Sequence, residues 1–223
     1  MSDDDGFLAT IIAHPEDDAP RLVYADWLEE RGDEVSVARS EFIRVQCELA
    51  AYPKAGSQIR TASGMEFIRP GWEALRRRER ELLESNVAWA SKFASVFHPN
   101  KPTTPGGWYG YGGCGLGVTW DWHRGFIDSV TLRFNDFERN AFAMRTATPL
   151  QTVRLTTRPL GLVVGSPLLG THGSYYDRIC TLPIDGQIVQ KQIQFLSNPL
   201  VARDRILSEL LSQAYAGLRF TFV

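Results

Sequence analysis

The chain has 223 residues and a mass of 25.1 kDa; 43% of its residues are hydrophobic, 22% charged and 11% aromatic. That much apolar side chain can bury a core that offsets chain entropy, and the length fits one domain or two small ones, which excludes a fibre and a large multidomain enzyme. With 24 Lys and Arg against 26 Asp and Glu, the net charge of −2 gives no global field that draws nucleic acid or an anionic membrane, so any such binding has to be local.

The first half of the chain reads as helices. Phe7, Leu8, Ile11 and Ile12 recur at one-turn spacing up to His14-Pro15, where proline disfavours helix in the residue before it. After the loop Pro15 to Asp17, Asp18 is expected to cap a second helix from about 19 to 31. Pro20 suits its first turn and Gly32 a left-handed end. Its expected apolar face is Leu22, Val23, Ala25, Trp27 and Leu28, with Arg21 and Glu29 pointing elsewhere. In a third helix Ala38, Phe42, Val45, Leu49 and Tyr52 form one stripe. The interval from Pro53 to Pro70 loses periodicity and reads as a linker; a helix from Trp72 to about Glu84 and a short one carrying Val87, Trp89, Phe93 and Phe97 follow.

From Pro99 to Gly117, proline, glycine and aromatic residues alternate, so neither helix nor strand is expected and the domain junction is placed there. Trp120, Trp122 and His123 lead into a strand of Phe126, Ile127, Val130 and Leu132. A helix follows, capped by Asn135 or Asp136 and carrying Phe137, Ala141, Phe142 and Met144, and then a strand with Leu150, Val153 and Leu155. Ile127 and Leu150 are 23 residues apart, inside the range of about 20 to 29 of leucine-rich repeats. Gly161 to Tyr176 reads as a loop, Pro183, Asp185 and Gly186 as a hairpin, Ile188 to Phe195 as a strand and Pro199 to Tyr215 as a helix. Leu218, Phe220 and Phe222 alternate as a last half-buried strand. The expected fold is mixed α+β: a helical domain with a helical extension over 1–98, a linker over 99–117, and a small α/β, leucine-rich-repeat-like domain over 118–223.

The stretches HPEDDAPRLVYADWLEERGD and RSEFIRVQCELA, around Pro15 to Leu49, closely resemble the bacterial repeat-companion domain, a short domain that often precedes leucine-rich-type repeats. The resemblance covers about the first 50 residues. WHRGFIDSVTL, TPLQTVRLTTRPL and AYAGLRFTFV look like segments that follow this domain in its paralogues. The family is defined by sequence and has no assigned catalytic activity, so the resemblance implies an interaction or scaffold role. The chain departs from a full repeat array, with one repeat-like interval and no repeat signature over Gly161 to Gln192.

Several sets of residues carry possible chemistry. Glu16, Asp17, Asp18 and Asp26 with His14 are hard and borderline metal ligands and define the alternative of a metal-dependent hydrolase centred on His14, Asp17 and Asp18; the competing reading is helix capping and ion pairing. Arg76, Arg77, Arg78 and Arg80 can grip phosphates and define a second alternative, a nucleic-acid-binding accessory subunit, although Glu79, Glu81 and Glu84 stand three or four residues away. Trp108, Tyr109 and Tyr111 among glycines suit a partner contact, and the same loop lacks the GxxxxGK[ST] order of a nucleotide site. No GxSxG elbow or HExxH spacing occurs. Cys47, Cys114 and Cys180 are an odd number far apart, which suits neither a disulfide framework nor a clustered metal site. Met1 to Gly6 are acidic and no apolar run approaches the roughly 20 residues of a membrane span. The leading expectation is a non-catalytic cytoplasmic interaction module that takes no cofactor, has no membrane contact, and works with a protein partner or larger assembly through Trp108, Tyr109 and Tyr111.

Overall fold

The computed structural model describes residues 3–52, 70–97, 111–113, 117–167, 176–184, 187–195 and 203–223. Helices α1 (Asp3–Ala13), α2 (Ala19–Arg31), α3 (Glu34–Ala51) and α4 (Pro70–Ser85) are followed by a 3-10 turn (Val87–Ala90) that runs into α5 (Ser91–Ala94). Strands β1 (Tyr111–Gly113), β2 (Thr119–His123) and β3 (Phe126–Leu132) precede α6 (Phe134–Ala147) and β4 (Thr152–Leu155). Then come β5 (Val163–Pro167), β6 (Tyr176–Ile184), β7 (Gln187–Phe195), α7 (Arg203–Ala214) and β8 (Arg219–Phe222). The fold is mixed α+β, with a mixed sheet ordered β1-β2-β3-β4-β8 and an antiparallel sheet ordered β5-β6-β7. The chain divides into two compact units, Met1–Asp128 with Phe142–Leu150, and Ser129–Ala141 with Gln151–Val223. The division therefore runs through β3 and α6, whereas the sequence pattern suggested a junction at 99–117. A strand was not expected in that junction, yet Tyr111 to Gly113 pair antiparallel with Thr119 to Asp121, since backbone hydrogen bonds to a neighbouring strand can hold even a glycine-rich segment.

In the first unit α3 is central. One of its faces joins Ile43 and Cys47 to Ile11 of α1, Ala25 and Leu28 of α2, and Phe126. Its other face joins Phe42 and Val45 to Leu82 of α4, with Trp89 and Trp122 packed alongside. Each such fully buried side chain contributes on the order of 1.5–3 kcal/mol, and using two faces of one helix explains why α3 carries more buried residues than the single expected stripe. α2 is rotated from the expected face: Arg21, Ala25 and Leu28, at i, i+4 and i+7, are buried, while Leu22 and Val23 are 36% and 55% exposed. The ends of α2 follow the sequence signals. Gly32 has φ 70 and its amide donates to the Glu29 carbonyl at 3.1 Å.

In the second unit β3, β4 and β8 are parallel and in step, with Ser129 opposite Thr152 and Thr152 opposite Arg219. Val130, Leu132, Val153, Leu155 and Phe220 are buried along this ladder. Phe137 meets Phe220 edge-on, with ring centroids 5.2 Å apart. α6 begins at Phe134, whose amide donates to the Thr157 hydroxyl at 2.9 Å, so a residue 23 positions downstream caps the helix in place of Asn135 or Asp136. Phe142, expected on the apolar face of α6, is 82% exposed. The expected loop from Gly161 contains β5, which pairs with β6, and β6 and β7 form the expected hairpin. On β6, Cys180, Leu182 and Ile184 are buried while Pro183 is exposed; α7 packs on this sheet through a helix whose Ile206, Leu207, Leu210 and Leu211 are buried.

Candidate functional site

The site lies in the first unit and is built on α3. Arg39, Ile43 and Gln46 stand at i, i+4 and i+7 and share one face. The turn between β2 and β3 comes down on them, with Arg124 at φ 52 and Gly125 at φ 82. Two consecutive left-handed residues match the twist of flanking strands in a two-residue hairpin, and glycine is the residue that adopts this conformation without a side-chain clash. Gly125 is required for a second reason: a Cβ there meets Ile43 Cγ1 at 2.6 Å and Ile43 Cα at 2.9 Å. Both backbone groups of Gly125 are satisfied by α3. Its amide donates to Gln46 Oε1 at 2.7 Å, and its carbonyl accepts from Arg39 Nη2 at 2.5 Å. Gln46 in turn donates to Glu79 Oε1 of α4 at 2.6 Å, and Glu79 accepts from Arg76 at 2.8 Å. One relay of side chains thus links α4, α3 and the hairpin tip.

Around Arg39 the sequence has gathered aromatic rings from distant positions. The guanidinium carbon lies 5.1 Å from the Trp89 ring centroid, 5.2 Å from Phe126, 5.3 Å from Trp122 and 5.4 Å from Phe42. Such faces attract a cation and are worth about 2 kcal/mol or more when desolvated. Beside this box is a cavity of about 150 Å³ whose walls include Arg39, Trp89, Phe93, Trp122 and Phe126, together with Tyr24 and Asp4. Leu8, Ile127 and Ala147 also line it. Tyr24 donates its hydroxyl to Asp4 Oδ1 at 2.5 Å, and burial together with this bond holds the phenol above its ordinary titration range. Burial lowers Arg39 to about 10, so it remains a cation at neutral pH. Among the described residues, two donors here have no acceptor and no solvent access: Arg39 Nη1 and Trp89 Nε1. Sequence patterning placed Trp89 on a short helix and gave no signal for Arg39, because a lone arginine on a helix reads as a solvated charge.

The acidic set near α2 is organised around arginines. Arg21, expected to point away from the core, is 1% exposed and donates to the backbone carbonyls of Asp17 at 2.6 Å, Pro15 at 2.8 Å and His14 at 3.5 Å. It therefore fixes the loop between α1 and α2, and burial lowers its pKa. Asp18, expected to cap α2, has helical backbone angles and makes no side-chain cap bond; Asp17 Oδ1 accepts from the Ala19 amide at 2.9 Å instead. Asp18 Oδ1 lies 3.4 Å from Arg124 Nε, too poorly aligned for a hydrogen bond, and Glu16 also pairs with Arg124 at 3.7 Å. Asp26 pairs with Arg44 at 2.5 Å. Among the described residues no three His, Cys, Asp or Glu side chains group to hold a metal ion, so His14, Asp17 and Asp18 are not brought together as a ligand set. Cys47 is free and buried; burial, with Asp18 nearby, pushes its thiol up to about 12, which leaves it protonated and unreactive at neutral pH.

The basic run lies on the exposed face of α4. Arg76 pairs with Glu79, and Arg78 makes a forked contact with Glu41 at 2.6 and 2.7 Å and a third bond to Glu81 at 3.0 Å. Arg77 and Arg80 are exposed on the same helix. Trp72, at the start of the same helix, is 36% exposed with the Arg76 guanidinium 5.3 Å from its ring. Trp120 and Trp122, expected to precede the first strand, are on β2, where Trp120 is buried against Phe93 at 5.5 Å and Trp122 meets Phe42 edge-on at 5.4 Å. Of the expected partner contacts, Trp108 and Tyr109 lie outside the described residues, and Tyr111 is paired through its backbone with Asp121. No helix among the described residues is long and apolar enough to cross a membrane. No family model, no curated protein and no solved structure matches the chain.

Proposed function

We propose that the chain is a non-catalytic protein-interaction or scaffold module of the repeat-companion kind, with a leucine-rich-repeat-like α/β half. The observation that carries this reading is the outer face of the β5-β6-β7 sheet. Val163 and Ile188 are 61% and 71% exposed there, next to exposed Pro183, and Leu160 just before β5 is 86% exposed. Val163 is in register with Thr181, and Ile188 with Pro183 two residues further along β6, so both stand on the face opposite Cys180, Leu182 and Ile184. Contiguous exposed apolar side chains on a folded domain mark contact surfaces. The parallel ladder β3-β4-β8 supports the repeat-like part of the reading, because the 23-residue step from Ser129 to Thr152 matches one repeat with its helix.

The test is a pull-down from native lysate with the intact chain and the double variant Val163→Glu/Ile188→Glu, checked by circular dichroism for retained folding. A stoichiometric protein captured by the intact chain and absent from the variant supports the reading. The same protein held equally by both baits removes this face. A parallel bait with Trp108, Tyr109 and Tyr111 as alanine reports on the aromatic loop.

A further inference from the structure

We propose that the cavity beside Arg39 is a binding site for a small aromatic carboxylate. Three features of the first unit point to that chemistry. The cavity, at about 150 Å³, has the volume of an engineered cavity that accepts a single benzene ring, and its walls include the rings of Trp89, Phe93, Trp122 and Phe126. The cation on its wall has no direct ion pair among the described residues: Arg39 hydrogen-bonds the neutral Gly125 carbonyl, and the Asp4 carboxylate acts on it only through space. Asp4, the carboxylate on the same wall, receives the Tyr24 hydroxyl. Finally, the two donors without acceptors, Arg39 Nη1 and Trp89 Nε1, belong to side chains that line this one cavity, and buried N–H groups in folded proteins are nearly always paired. A carboxylate offers two oxygens to such donors and a negative charge to the guanidinium, and a ring behind it stacks on the aromatic walls. Both N–H groups are covered in this structure, so binding requires a side-chain movement that brings them to the ligand.

The experiment uses the full chain and sodium benzoate as the probe, with benzyl alcohol as the neutral ring and sodium acetate as the ring-free carboxylate at matched ionic strength. Thermal melting and tryptophan fluorescence are followed, since Trp89 and Trp122 form part of the wall. Benzoate is expected to raise Tm saturably and to bind at least tenfold tighter than either control. Ala147→Phe, which fills the cavity and leaves Arg39 in place, is expected to abolish the response, and Arg39→Lys to weaken it about tenfold. In the unmodified protein, methyl NMR gives a readout that does not depend on any variant folding: benzoate is expected to shift the Leu8, Ile127 and Ala147 methyls. Benzyl alcohol binding as tightly as benzoate, absence of a saturable benzoate response, or unmoved methyls at those three positions overturns the proposal.

Discussion

Helix α4 and the pair α2 and α3 all carry arginines, and the surroundings of those arginines are opposite. On α4, Arg76, Arg77, Arg78 and Arg80 stand in solvent; Arg78 holds the surface carboxylates of Glu41 and Glu81, and Arg76 reaches in to the buried Glu79. On α2, Arg21 is closed off from water and its two terminal nitrogens donate to three backbone carbonyls, while its Nε has no partner among the described residues; on α3, Arg39 sits among four rings. The same side chain thus acts as a solubilising charge in one region and as an internal fastener in the other. Desolvation decides the difference: a surface pair exchanges one set of water contacts for another, whereas a buried guanidinium that loses its acceptors, or acceptors that lose their guanidinium, have no water to turn to.

The contrast is sharpest for Arg21→Ala, which strands the His14, Pro15 and Asp17 carbonyls and empties a buried volume. A loss of about 3–5 kcal/mol is expected in urea unfolding. A loss under about 1 kcal/mol breaks the distinction between the two regions. Next in size is Gly125→Ala, which places a Cβ against Ile43 and forces a non-glycine residue into the left-handed region; about 3 kcal/mol is expected from these two costs together. Its effect also tests the Arg39 box, because the same turn supplies the Gly125 carbonyl that Arg39 holds.

The smallest effect is expected for Arg78→Ala, well below that of Gly125→Ala at neutral pH and reduced further by salt. The Arg78 bond holds the Glu41 carboxyl below its ordinary value of 4.5. A carboxyl lowered in the folded state adds stability above its unfolded pKa, and that stability is lost as the pH falls through the folded value. The difference between the unmodified chain and Arg78→Ala is therefore expected to shrink as unfolding is measured at successively lower pH beneath about 4.5. A difference that grows on acidification contradicts the assignment of the pair.

Much of the local structure could be read from single segments. Pro15 and Gly32 bracket α2, the alternation of Leu218, Phe220 and Phe222 matches β8, and the strand, helix and strand from Phe126 to Leu155 are where the periodicity put them. Turn residues and 2.0 or 3.6 periods act within a few residues, so they survive without knowledge of the rest of the chain. The site was far less legible. Of its residues, Trp89 and Phe93 fall on an expected short helix and Trp122 just before an expected strand; Arg39, Gln46 and Asp4 stand out in no pattern. Phe142 and Trp72 show the converse, being apolar residues at helical spacing that remain exposed.

What the sequence determined by itself was the order and approximate ends of most elements, β1 and β5 excepted, and the mixed α+β character, because these rest on backbone conformation and short-range periodicity. Tertiary structure alone decided which face of α2 turned inward, that a glycine 86 residues after Arg39 supplies the carbonyl it binds, and that four rings from α3, the turn after α4, β2 and β3 close around one cation. A hydrogen bond or a ring face carries no local periodicity; its partner becomes visible only when the chain has folded back on itself.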